Sequence, residues 1–172
     1  MSANEELEEH VHHAHEPFDK MVAGTMAIIA AGLAIVSVLG QHYNTEMLLD
    51  QQLASDQWAL YQGKDIRRYQ AQTVHDSLQA LKAEPAAISK YADEAVKYRT
   101  QGSETQNHAR EYEKERDRHQ AVAGRFHLGE IFLEVAIVLS SLAILMKRKP
   151  FFVAAVVSAL AGVVIGVTAY WA

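Results

Sequence analysis

Residues 21–41 read MVAGTMAIIAAGLAIVSVLGQ, a run of 21 positions without a charge. About twenty apolar residues, rising 1.5 Å each, cross the roughly 30 Å hydrocarbon core of a bilayer. Two further blocks share this character. Residues 151–172, FFVAAVVSALAGVVIGVTAYWA, are uncharged, and residues 131–146, IFLEVAIVLSSLAILM, carry one charge, Glu134. The second of these reaches spanning length when its helix is carried back to about Leu128. The chain is therefore expected to be all-α, with three transmembrane helices at 21–41, 128–146 and 151–172. Tyr170 and Trp171 stand where an aromatic belt belongs.

Between the first two blocks lies a polar stretch, 42–129, rich in Gln, Ala, Leu, Glu, Lys and Arg, all good helix formers. Its one proline, Pro85, suits the first turn of a new helix and disfavours helical geometry in Glu84 before it. Residues 42–84 and 86–129 number 43 and 44, so each arm makes about 65 Å of helix. Equal arms let a chain leave a membrane and return to it. The expectation is a long extramembrane antiparallel helical hairpin, inserted between the first and second transmembrane helices, with its turn near Pro85.

The returning arm carries a continuous 3-4 spacing through Ile88, Tyr91, Ala95, Tyr98, Gly102, Thr105, Ala109, Tyr112, Arg116, His119, Ala123 and Phe126. Such spacing makes a coiled-coil seam, weakened here by Gly102, Thr105 and Arg116. In the outgoing arm the stripe changes phase: Ala54, Trp58 and Tyr61 lie on one line, Ala71, Val74, Leu78 and Leu81 on another. That drift suits loose antiparallel packing. Ser103-Glu104-Thr105-Gln106 has the form of a capping box, so a break near Gly102 is the competing geometry.

Charge bounds topology and partners. Residues 1–20 form a histidine-rich acidic tail with six acids and one base, while 42–129 hold thirteen acids and twelve bases. An acidic leader before a long apolar run argues for a retained anchor over a cleaved signal peptide. The one concentrated basic run is the turn at 147–150, Lys147-Arg148-Lys149-Pro150. No broad basic face exists for nucleic acid. Short basic loops stay in the cytoplasm, which places this turn inside and the hairpin outside. Arg110, Lys114, Arg116, Arg118 and Arg125 vote the other way, but interleaved acids and the length of the loop weaken them. There is no cysteine, which excludes disulfides, thiolate zinc sites and a cysteine nucleophile.

The segment Ser55-Asp56-Gln57-Trp58-Ala59-Leu60-Tyr61-Gln62-Gly63-Lys64-Asp65-Ile66 resembles a stretch of the DUF4337 family of bacterial membrane proteins of unknown function. The order of N-terminal anchor, this stretch, polar helical middle and C-terminal membrane pair is also similar. The sequence departs from that pattern at Gly63, where alanine is expected, and in its histidine-rich tail. The resemblance implies a bacterial inner-membrane, multi-pass protein and brings no activity and no functional residues. On its own chemistry, the stretch puts Trp58, Tyr61 and Lys64 on one helical face. Trp58 and Tyr61 are large anchors, either for the returning arm or for another protein docking there.

Four sets of residues carry candidate chemistry. His10, His12, His13 and His15, beside Glu9 and Glu16, are candidate metal ligands; the alternative is a solvated, pH-sensitive tail. Glu134 lies about 18 Å into the core by residue count from Met146, where a carboxylate is expensive and marks function by default. Glu130 is one turn earlier on the same face. Glu134 is either a proton or cation site, or a protonated or hydrogen-bonded link between helices with Ser or Thr as partner. Ala154, Ser158, Gly162 and Gly166, four apart, let helix backbones approach closely, as do Ala23, Ala27 and Ala31 in the first helix. His75-Asp76-Ser77 cannot act as a triad, because consecutive helical residues point apart.

No enzymatic motif and no cofactor signature is present. The expected function is a non-enzymatic membrane scaffold or accessory subunit, working as a homo-oligomer or within a larger membrane complex and presenting the hairpin to a partner. The alternative is a small homo-oligomeric channel or transporter using Glu134.

Overall fold

The computed structural model describes residues 17–171, and among them every regular element is helical, with short connections at 81–84 and 147–148. Helix α1 spans Pro17–Ala80, α2 spans Pro85–Met146 and α3 spans Lys149–Thr168, followed by a 3₁₀ turn at Ala169–Trp171. Each of the three is long and apolar enough to cross a membrane. The first apolar block and the outgoing polar arm thus belong to one unbroken helix. No proline or turn signal lies between Gln41 and the end of α1 to interrupt it.

Proline opens the helices. Pro17 and Pro85 each occupy the first position of a helix, where the missing N–H costs no hydrogen bond, and Pro150 sits in the first turn of α3. Lysine closes two of them. Lys82 (φ 51°) and Lys147 (φ 50°) both adopt the left-handed conformation usually left to glycine. After α1, the Lys82 N–H donates to the Gln79 carbonyl at 3.1 Å and the Ala83 N–H to the Leu78 carbonyl at 3.0 Å. That pair is a Schellman closure, with Lys82 at the position that glycine prefers. The Glu84 carbonyl then accepts from Ala87 and Ile88, starting α2.

The break considered near Gly102 does not occur: α2 runs through it, and the Ser103 hydroxyl donates to the Thr100 carbonyl from within the helix. Gly102 serves close packing instead. A Cβ there would meet the Tyr61 ring at 3.7 Å.

The chain divides into two compact units, Thr45–His119 and the remainder, residues 1–44 with 120–172. In the Thr45–His119 unit α1 and α2 face each other with small buried residues, Ala54, Ala71, Thr105 and Ala109. In the other unit the apolar lengths of α1, α2 and α3 pack together. Ile29, Leu133, Ala136 and Ala159 form one buried cluster, and Val122, Phe126 and Ala169 form a second. An aromatic group closes the second cluster, with Tyr43 stacked on Phe126 and Tyr170 edge-on to it.

Candidate functional site: contacts inside and outside the helix bundle

Within Thr45–His119, the side chains flagged by the Trp58 stretch all meet α2. The Trp58 indole N–H donates to Glu113 Oε1 at 2.9 Å, and its ring stands edge-on to Tyr61. Tyr61 lies over Gly102, where no side chain intervenes. Lys64 Nζ donates to Thr105 Oγ1 at 2.6 Å and to the Gln101 carbonyl at 3.2 Å. Towards the end of the unit, Arg116 donates to Gln51 at 2.8 Å, and His119 Nδ1 lies 2.8 Å from Asp50 Oδ2. His75 contacts Asp76 and not Ser77. Arg68 bonds Asp65, which raises its pKa.

In the apolar unit, α2 and α3 touch backbone to backbone. A Cβ on Gly162 would stand 2.8 Å from the Gly129 carbonyl oxygen, and one on Gly129 would stand 2.8 Å from that of Gly162. Both glycines, with Gly166, are buried. Of the four-spaced set in α3, Gly162 and Gly166 lie in this contact. Ser158 donates its hydroxyl to the Phe132 carbonyl at 2.7 Å, and Ala154 is exposed. The buried line of α3 is instead Ala155, Ala159, Gly162, Gly166 and Ala169, at 4-3-4-3 spacing. Gly129, the centre of the contact on α2, was not singled out by the sequence. The one signal for it was a small residue at the edge of an apolar block.

Glu134 is exposed on the outside of the bundle and makes no hydrogen bond or ion pair with any described residue. Glu130, half-buried, approaches His127 Nδ1 at 3.4 Å. Hydroxyl groups in the apolar lengths behave differently. Thr25, Ser140, Ser141, Ser158 and Thr168 each donate to a backbone carbonyl. Ser37 shares the situation of Glu134, with no partner among the described residues. At the end of α3 the Arg125 guanidinium donates to the Thr168 carbonyl at 2.6 Å, satisfying an orphan acceptor of the helix terminus. His10, His12, His13 and His15 lie outside the described residues. Among those described, no three His, Asp or Glu side chains come together to hold a metal ion.

These features define an all-helical protein with three helices fit to cross a membrane, and with a carboxylate within one of them. The chain belongs to the family described as a domain of unknown function (DUF4337), which matches residues 18–172. No curated protein and no solved structure matches it.

Proposed function

We propose that the chain is a multi-pass inner-membrane protein of bacteria, acting as a non-enzymatic scaffold or accessory subunit. Residues 42–129 form the antiparallel hairpin between its first and second membrane helices and stand outside the cytoplasm, with the basic 147–150 turn inside. The observation that carries this reading is the ladder of cross-contacts in Thr45–His119: Asp50 with His119, Trp58 with Glu113, Lys64 with Thr105. The side chains best suited to chemistry are spent on joining the two helices. What they leave outward on α1 is a mixed surface, in which Leu48, Leu49, Leu53, Leu60 and Ile66 are exposed among Gln51, Gln52, Ser55 and Asp56. Two helices alone cannot cover one another on all sides, so these apolar side chains are available to a partner.

Because the protein has no cysteine, single cysteines report cleanly. Glu84→Cys is expected to react with a membrane-impermeant thiol reagent in intact cells; reaction only after lysis would invert the topology. A cross-linker on Leu60→Cys is expected to yield one adduct of constant, heteromeric mass. Adducts solely with further copies of the chain would replace the scaffold reading by a self-assembling one.

A further inference from the structure

Glu134 poses a problem that the single chain leaves unsolved. By residue count it lies deep in the apolar length of α2, among exposed Ile131, Val135 and Val138. Hydrocarbon offers a carboxylate neither donors nor counter-charge, and such residues face a bundle interior or a cavity. In this bundle it faces out.

The neighbourhood of that outward face is unusual. Ser141, two turns from Glu134 on the same stripe of α2, contacts Met26 of α1, Oγ to Sδ 3.7 Å. Gly40 of α1 lies against Phe126, 3.3 Å from a Cβ on the glycine to that of the phenylalanine. The two helices therefore run in opposite directions here, and the register brings Glu134 level with Leu33. Flanking Met26 and Leu33 on their outer side is the stripe Ala23, Ala27, Ala30, Ala34, Ser37, Gln41, at 4-3-4-3-4 spacing. All are exposed except Ser37, which is half-buried. Elsewhere the outer surface is mostly bulky, although Gly24, Ala31 and Ala154 are also small and exposed. On α3 it is Val153, Val157, Leu160, Val163, Val164 and Val167, and on the far side of α1 it is Ile28, Ile35 and Val38. Those faces suit lipid tails. A flat alanine stripe beside an unpartnered carboxylate and an unpartnered hydroxyl suits a helix.

We propose that this α1–α2 face is a self-association surface occupied by a second copy of the chain. The alanine stripe of each copy packs over α2 of the other, and Ser37 of one donates its hydroxyl to the Glu134 carboxyl of its mate. A two-fold arrangement makes the contact twice, because the face carries both the donor and the acceptor. Its two polar groups complement each other, so a second copy satisfies both and a lipid tail satisfies neither. The proposal rests on the membrane reading above but not on the hairpin's partner or orientation.

The test uses the full chain in native membranes and then in lipid nanodiscs. Under mild oxidation, co-expressed copies carrying Ala30→Cys on α1 and Ser141→Cys on α2 are expected to form a disulfide-linked dimer, whereas Val157→Cys and Val163→Cys on α3 stay monomeric. Equal cross-linking on both faces, or cross-linking on α3 alone, overturns the proposal. So does an adduct of Ala30→Cys with a different protein, which would assign the face to a heteromeric partner. Glu134→Leu and Ser37→Ala should each weaken dimerisation by about tenfold, the scale of one polar contact between membrane helices. Glu134→Gln, which keeps an acceptor, should dimerise like the parent. Since Glu134 has no hydrogen bond or ion pair within its own chain among the described residues, helicity and thermal unfolding of the monomer should be unchanged. Parent-like dimerisation of Glu134→Leu would remove the carboxyl from the contact. Labelling at Glu84→Cys is read independently, so failure of either idea is visible without the other.

Discussion

Gly162→Ala adds one methyl group at the point where α2 and α3 touch. The new Cβ would stand 2.8 Å from the Gly129 carbonyl oxygen and 3.1 Å from both Leu133 Cγ and Phe132 Cβ. The first of these is backbone and cannot rotate away. Ordinary contact begins near 3.4 Å, so the helices must separate by about 0.6 Å. A gap of that size forfeits a quarter to a half of each dispersion contact across the interface, including those around Ala159 and Leu133. Overpacking of this kind costs about 1–3 kcal/mol. Gly166→Ala is the control, since its Cβ would meet only Val36 Cγ2, at 3.8 Å. That is ordinary contact, and its expected cost is within about 0.5 kcal/mol. Thermal unfolding of the two variants and the parent in one mild detergent measures the difference. Gly129→Ala combined with Gly162→Ala should cost less than the sum, because one separation accommodates both methyls. Equal stability of Gly162→Ala and Gly166→Ala would refute the backbone contact.

Two other substitutions probe the α1–α2 pairing and the turn. Trp58→Phe keeps a ring against Tyr61 but removes the N–H donated to Glu113, and should cost about 1 kcal/mol in the same unfolding assay; an unchanged midpoint would free Trp58 for the docking role. Lys82→Gly relieves a left-handed lysine in the closure of α1 and should stabilise by roughly 1 kcal/mol, with slower hydrogen exchange at Lys82 and Ala83 as the local readout.

The sequence announces its helices through block composition, because about twenty uncharged residues have few alternatives to a helix in a bilayer. Pro85 likewise announces the turn, since Glu84 before it resists helical geometry. What composition does not carry is rotation. In the polar arms large side chains mark the pairing face only locally: the line of Trp58, Tyr61 and Lys64 was legible, whereas Leu48, Leu49, Leu53, Leu60 and Ile66 are exposed and the buried positions are Ala54, Ala71, Thr105 and Ala109. In a block that is apolar all round, hydrophobicity loses its phase, and burial is marked by size. The buried positions of α2 run Gly102, Thr105, Ala109, then Val122, Phe126, Gly129, Leu133, Ala136, Ser140 and Ala143. The 3-4 seam noticed up to Phe126 continues into the apolar block, carried there mostly by small residues.

The same reasoning separates the two carboxylates and the hydroxyls of the apolar lengths. Most hydroxyls here are satisfied by their own helix: Ser140, fully buried, donates to the Ala136 carbonyl one turn back at 2.8 Å. Ser158 reaches the Phe132 carbonyl of another helix instead, and Ser37 has no partner among the described residues. A carboxylate finds no donor one turn away, because every backbone N–H within a helix is already engaged. Glu130, near the end of the apolar stretch, has His127 within 3.4 Å. Glu134, one turn deeper, has only another carboxylate, Glu130, as a titratable neighbour on its own helix face, and the face it occupies is not covered by α1 or α3. On the membrane reading proposed above, depth keeps bulk water from it, and a donor for it comes from outside the chain. The alanines along α1 leave room at that level for another helix, while the valines of α3 do not. Depth sets the demand for a partner, and side-chain size sets where the partner fits.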